Sequence, residues 1–145
     1  MPDPTRAPAA SRFRYQYAAK VLCTANIPGT SQTTSSLLPG SYQTVVNIHN
    51  PGEKAARIRS KLAVTTPSAI SAFVARGLKP DEAVKLDCED FSRKYGLTFV
   101  HGIEGFLVVE STHSLDVVAV YTAGAVGGHV SSIDVERVPE RLIGE

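Results

Sequence analysis

Apolar and polar residues alternate along much of this chain, and the alternation sets most of its predicted elements. In Ala56–Val64, Ile58, Leu62 and Val64 fall on one side, while Arg57, Arg59 and Lys61 fall on the other. A period of two marks a half-buried strand, here with a cationic outer face. Phe13–Cys23 places aromatic and β-branched residues at alternating positions, and Tyr42–His49 carries Val45, Val46 and Ile48. Ala83–Cys88 sets Val84, Leu86 and Cys88 on one face. Gly105–Glu110, Leu115–Tyr121 and Val130–Glu136 bring the predicted strands to seven. The alternation points to a core of Ile58, Leu62, Val64, Val84, Leu86, Leu107, Val109, Val118 and Val120.

Between the strands the punctuation is clear. Asn50-Pro51-Gly52-Glu53 is a turn, since Pro presets one dihedral and Gly supplies a positive one. Ser111-Thr112-His113-Ser114 joins two strands at a hairpin length and is read as a solvated hairpin loop. Residues 26–40 are rich in small hydroxylated side chains and form a long loop. Segment 68–76 fits either a helical turn or a short strand. Glu89–Gly96 is predicted as a short helix, with acids at its start, bases at its end and a terminal glycine. Residues 1–12 are expected to be a flexible N-terminal tail, 13–138 a sandwich domain and 139–145 a C-terminal tail.

Short strands with Gly and Pro turns, and no helix long enough for a crossover, predict an all-β antiparallel sandwich or barrel, of which the sandwich is the reading adopted. Composition agrees with a single folded domain. The chain has 145 residues, 43% of them hydrophobic and 20% charged. Its net charge of +1 gives no global field toward nucleic acid or an anionic membrane, so neither is an expected partner. No apolar run reaches the ~20 residues of a membrane-spanning helix. The first residues lack the apolar core of a secretory leader, so the expected location is cytoplasmic; the alternative is a secreted protein whose leader has been removed.

Candidate chemistry is sparse. Asp87-Cys88-Glu89-Asp90 lacks the offsets of a calcium loop and is read as a capped helix start with Asp87 as N-cap. His49, His101, His113 and His129 form no HxH or HExxH motif. His113 lies beside Ser111, Ser114 and Asp116, but a triad is built by geometry across a fold and not by adjacency. Gly124–His129 lacks the Lys-Ser/Thr of a phosphate loop. The stripe Arg57, Arg59, Lys61 has no aromatic interleaved in its own strand, so a solvated outer face is expected. Tyr121 is expected to anchor a corner through its hydroxyl. Cys23 and Cys88 form no CxxC pair and are expected to be buried free thiols, with a disulfide between sheets as the alternative. No catalytic residue, cofactor or metal ligand is assigned.

Tyr42–Pro51 resembles the strand-turn-strand unit of immunoglobulin-like sandwich domains in bacterial proteins. Leu115–Tyr121 with Ser132–Glu136 resembles a group of small, uncharacterised bacterial proteins. The resemblance spans residues 15–138 and implies an immunoglobulin-like fold without bringing any catalytic residue. The chain departs from antibody domains in having no tryptophan.

These observations favour a non-enzymatic structural or binding module. The apolar runs Leu107–Val109 and Val117–Val120 leave both faces of two strands apolar, which predicts a homo-oligomer or another protein partner covering one of them. The alternatives are an enzyme or metal-binding protein assembling His49, His101, His113 and Asp116 from a distance, and a secreted adhesive domain.

Overall fold

The computed structural model describes residues 12–24, 37, 40–65, 68–99, 102–125 and 129–144. The predicted tail up to residue 11, most of the 26–40 loop, His101 and residues 126–128 of the glycine segment lie outside them. The described residues hold ten strands and one helix: β1 Tyr15–Cys23, β2 Ser41–His49, β3 Ala56–Thr65, β4 Ser68–Ile70, β5 Val74–Leu78, β6 Ala83–Asp87, α1 Cys88–Arg93, β7 Ile103–Ser111, β8 Asp116–Gly124, β9 Val130–Arg137 and β10 Arg141–Leu142. None of the described helices is long and apolar enough to cross a membrane.

All pairings are antiparallel. One sheet runs β10-β1-β7-β3, with both β4 and β5 on the free side of β3; the other runs β6-β2-β8-β9. The predicted all-β architecture is therefore present in two sheets. Segment 68–76 supplies β4 and the start of β5. β10 falls within the expected C-terminal tail, where Leu142 and Arg141 pair with Tyr15 and Gln16.

One expectation is overturned. Gly105–Glu110 and Leu115–Tyr121 are not a hairpin, because β7 pairs with β1 and β3 while β8 pairs with β2 and β9. The connection between them changes sheets and is held by protein groups. Thr112 N–H donates to Arg57 O and Arg57 N–H to Thr112 Oγ1, both at 3.0 Å. Leu115 N–H donates to the Tyr17 hydroxyl at 2.7 Å. Ser111 and Thr112 are buried, contrary to a solvated loop. A four-residue link suits either geometry; what decides is that β7 and β8 each occupy the middle of a sheet.

The core lies between the sheets. Ile58, Leu62, Val64, Leu86, Leu107 and Val109 are buried in it as expected, and Val84 packs against it half-buried. β8 has the opposite phase. Val117 and Ala119 point inward, whereas Val118 and Val120 are half-buried on the outer face.

Two tyrosines pin sheet to sheet. Tyr17 accepts from Leu115 and donates to Glu140 Oε1 at 2.6 Å, and burial together with the Glu140 carboxylate pushes its pKa up to about 12. Tyr121 donates to Lys20 O at 2.8 Å, the anchoring role expected of it. Cys23, ending β1, and Cys88, opening α1, form a disulfide across the two sheets, with Cα atoms 5.8 Å apart. The expectation of free thiols is thus corrected: the ends of two strands on facing sheets meet here, which residue spacing alone does not encode. Closing a loop of this length restricts the unfolded chain by about 4 kcal/mol.

Candidate functional site

The strand pleat sorts side chains to the two outer faces of the sandwich, and each face has its own chemistry. On the six-stranded sheet, β3 presents Arg57, Arg59 and Lys61 as expected. Register places Gln16, Glu110 and Arg59 in one cross-strand row. Glu110 is nearly buried there. Its Oε1 accepts from Arg59 Nε at 2.9 Å and Nη2 at 2.6 Å, and its Oε2 accepts from Gln16 Nε2 at 2.8 Å. The Arg59 guanidinium also lies 4.2 Å from the Phe13 ring centroid and 4.3 Å from that of Phe73. Lys61 sits 4.8 Å from the Phe73 ring. Lys20 pairs with Glu104 at 3.2 Å and lies 5.2 Å from the Phe106 ring. The stripe is therefore interleaved with aromatics, contrary to the reading of its strand alone. Phe13 and Phe73 come from outside β3, so no local pattern announces them. These rings already carry the protein's own cations, which leaves this face largely self-satisfied.

The four-stranded sheet is different. Asp87, Val45, Val120 and Val135 share one row across β6, β2, β8 and β9. Gln43, Thr122 and Ile133 form the row on one side; Lys85, Asn47, Val118 and Arg137 form the row on the other. Val45, Val118 and Val120 are half-buried by their neighbours in the sheet. Ile133 is 67% and Val135 62% exposed. Every residue of β9 is exposed. Its other side carries Ser132, Asp134 and Glu136, and the last two help burial push Tyr121 up to about 12.

One end of this apolar face holds a charged cluster. Asn50, fully buried, builds it. Its side chain donates to Lys54 O and Leu78 O, its N–H donates to Glu82 O, and its O accepts from Asp81 N–H at 2.8 Å. This ties the β2–β3 turn to the β5–β6 turn, where Asp81 adopts a left-handed φ of 62°. His49 then lies between two carboxylates, with Nδ1 2.9 Å from Asp116 Oδ2 and Nε2 2.9 Å from Asp81 Oδ1. Arg137 reaches Asp116 at 3.8 Å. Only the imidazolium donates from both nitrogens, so the hydrogen bonds to Asp116 and Asp81 raise the His49 pKa above 6.5.

Of the sequence candidates, His49 and Asp116 do converge, and Asp81, which the sequence reading passed over, completes the cluster. With both ring nitrogens facing carboxylates, His49 has none left to activate a nucleophile. His113 bonds Thr112 Oγ1 through Nδ1 at 2.9 Å, and Ser114 donates to Glu140, so the triad-like neighbours are engaged elsewhere. His129 is exposed beside β9. No three His, Cys, Asp or Glu side chains among the described residues form a group able to hold a metal ion. Asp87-Cys88-Glu89-Asp90 is the helix start expected: Asp90 N–H donates to Asp87 Oδ1 at 3.1 Å and Asp87 N–H to Asp90 Oδ2 at 2.9 Å.

No known protein family and no curated protein matches the chain. Among solved structures it is similar to the crystal structure of Thermotoga maritima 1070. The identity is 11%, over 88% of this chain and 92% of that one, with a TM-score of 0.55. At that identity the likeness is one of fold alone.

Proposed function

We propose that this chain is a non-enzymatic binding module, an immunoglobulin-like sandwich that pairs with a second copy of itself through the outer face of its four-stranded sheet. The observation that carries this reading is the in-register row Val45–Val120–Val135 with Val118 and Ile133 beside it. Among the described residues no contact covers Ile133 or Val135, and such a patch is costly to leave wet. Most soluble homo-oligomers are symmetric, and a two-fold axis along the strands lays this row on its own copy, with Val45 of each chain against Val120 of the other. Asp134 and Glu136 disfavour the competing mode, edge-to-edge continuation of the sheet through β9.

Light scattering across a dilution series tests this. The wild type should pass from dimer to monomer on dilution, and Val120→Glu should be monomeric with an unchanged circular dichroism spectrum. A wild type that is monomeric at every concentration, or a folded Val120→Glu that still dimerises, overturns the reading. The Cys23–Cys88 disulfide supports an oxidising location over the cytoplasm and is compatible with a secreted adhesive role. Denaturing alkylation without reductant should then add no label to either cysteine; two labels per chain would return the protein to the cytoplasm.

A further inference from the structure

The sandwich is closed on one side by the β1–β2 contacts and the disulfide, and open on the other. Along the open seam the edge strand β5 of one sheet faces the edge strand β6 of the other, and a cleft of about 420 Å³ lies between them. Strand phase decides its lining. Ile58 of β3, Val74 of β5, and Val84 and Leu86 of β6 supply apolar walls. Ser60 of β3 and Tyr95, just beyond α1, add two hydroxyls, and each of these residues is only 5% exposed. Arg76 and Lys94 line the same cleft.

The hydroxyl pair is what points to a ligand. Ser60 Oγ and Tyr95 OH lie 2.8 Å apart, so one donates to the other. Two hydroxyls carry two protons, and that bond uses one. Among the described residues no protein acceptor takes the second. Burial raises the Tyr95 pKa, so the tyrosine stays protonated near neutrality. Both residues line the cleft, so an oxygen placed there can accept that proton. Asp90 adds a negative field at Tyr95, so an anionic oxygen there depends on the cations beside it. Lys94 is bound to Asp90 at 3.1 Å, but Arg76 meets Glu82 only at 3.8 Å, a loose and exposed pair that a bound carboxylate can displace.

We infer that the β5–β6 cleft is a binding site for a small amphipathic carboxylate, its carbon body against Val74, Val84 and Leu86 and its carboxylate accepting from the Ser60–Tyr95 hydroxyls beside Arg76. The volume lies within the range of small-molecule sites, and apolar walls with a few convergent polar groups are their usual make-up. The cleft is at the opposite edge of the four-stranded sheet from β9, so it stands or falls separately from self-association.

Octanoate and 1-octanol are suitable probes, followed by calorimetry and by amide shifts in the wild type. Octanoate should saturate a single site, with shifts concentrated at Ser60, residues 74–77, residues 84–86 and Tyr95. Octanol, lacking the charge, should bind at least ~10-fold more weakly. The double variant Ser60→Ala/Tyr95→Phe should weaken octanoate by about 5- to 10-fold and narrow its advantage over octanol. Val84→Trp, filling the cleft from the β6 wall, should abolish binding while the fold persists. The inference is overturned by non-saturating octanoate, by equal affinity for the alcohol, or by shifts that map elsewhere. All three need only the wild type, and so decide the matter even where Val84→Trp does not fold.

Discussion

On the outer face of the six-stranded sheet Arg59 is held by Glu110 and lies between the rings of Phe13 and Phe73, whereas on the opposite face of the molecule Val120 has Val45 and Val135 beside it and no such cover among the described residues. Both faces belong to antiparallel sheets. The difference comes from what the segments next to the strands do. Phe13 precedes β1 and Phe73 lies between β4 and β5; both turn back over β3, and Glu110 arrives from the next strand in the same row. A charged face thereby becomes one whose interactions are mostly internal. The apolar face receives no comparable cover from the described residues, and its unmet interactions are the kind that a partner supplies. Positive charge alone is thus a poor guide to which surface binds; what matters is whether the molecule already satisfies it.

The largest expected effect separates the two sides of a single strand. Val117 is 1% exposed and faces the core, while Val120 faces outward. Val117→Glu buries an unpaired charge and should cost more than about 4 kcal/mol, enough to unfold a domain of ordinary stability. Val120→Glu should leave the monomer folded. Chemical denaturation of both variants checks the contrast. A stable Val117→Glu, or an unfolded Val120→Glu, would mean that the apolar face is part of the core.

A middle-sized effect tests the self-satisfied face. Glu110→Gln keeps the shape but removes the charge that Arg59 meets twice, with the Glu110 side chain only 8% exposed. The expected cost is about 2–3 kcal/mol, below that of breaking a fully buried pair because Arg59 retains some water. On the other face Val135→Gln, in a monomeric Val120→Glu background, should shift stability by less than about 0.5 kcal/mol. Urea midpoints decide between them. Equal costs at the two positions would mean that the two faces are satisfied to the same degree.

Those expectations rest on features that the sequence reveals unevenly. The alternation of Ile58, Leu62 and Val64 against Arg57, Arg59 and Lys61 is a local pattern, and it reads correctly. So does the acidic run from Asp87 to Asp90, because a capping box is completed within four residues. The phase of β8 is hidden by Val117-Val118-Ala119-Val120, where neither side is polar and the small Ala119 occupies an inward position while larger valines face outward. The assignment of β7 and β8 to different sheets is hidden because the link between them has a length common to hairpins. The Cys23–Cys88 bridge, the stacking of Phe73 on Arg59 and the approach of Asp81 to His49 are all long-range. Each depends on how one turn sits against another, and the buried Asn50 network that brings Asp81 into place leaves no periodic trace.

The smallest effect concerns the charged end of the apolar face. His49 bridges Asp116 and Asp81 at 2.9 Å each, and its pKa is raised chiefly by the bond to Asp116 and then by that to Asp81. A folded-state value above the unfolded 6.5 means that protonation stabilises the fold. The contribution is fully present below pH 6.5 and is lost as pH rises through the raised folded value. It is modest because the ring and Asp116 are partly exposed and Asp81 almost fully so, and because Arg137 on Asp116 weakens the pull on the imidazolium. In the Val120→Glu background, where assembly does not contribute, the thermal midpoint should therefore decline slightly as pH climbs through that window. His49→Gln, still able to donate one hydrogen bond but unable to take up a proton, should flatten the decline and leave the midpoint at high pH almost unchanged. The two profiles should thus meet above the transition and separate below it. Parallel profiles at every pH would show that His49 is not the titrating group and that the carboxylate bridge is only a neutral hydrogen bond.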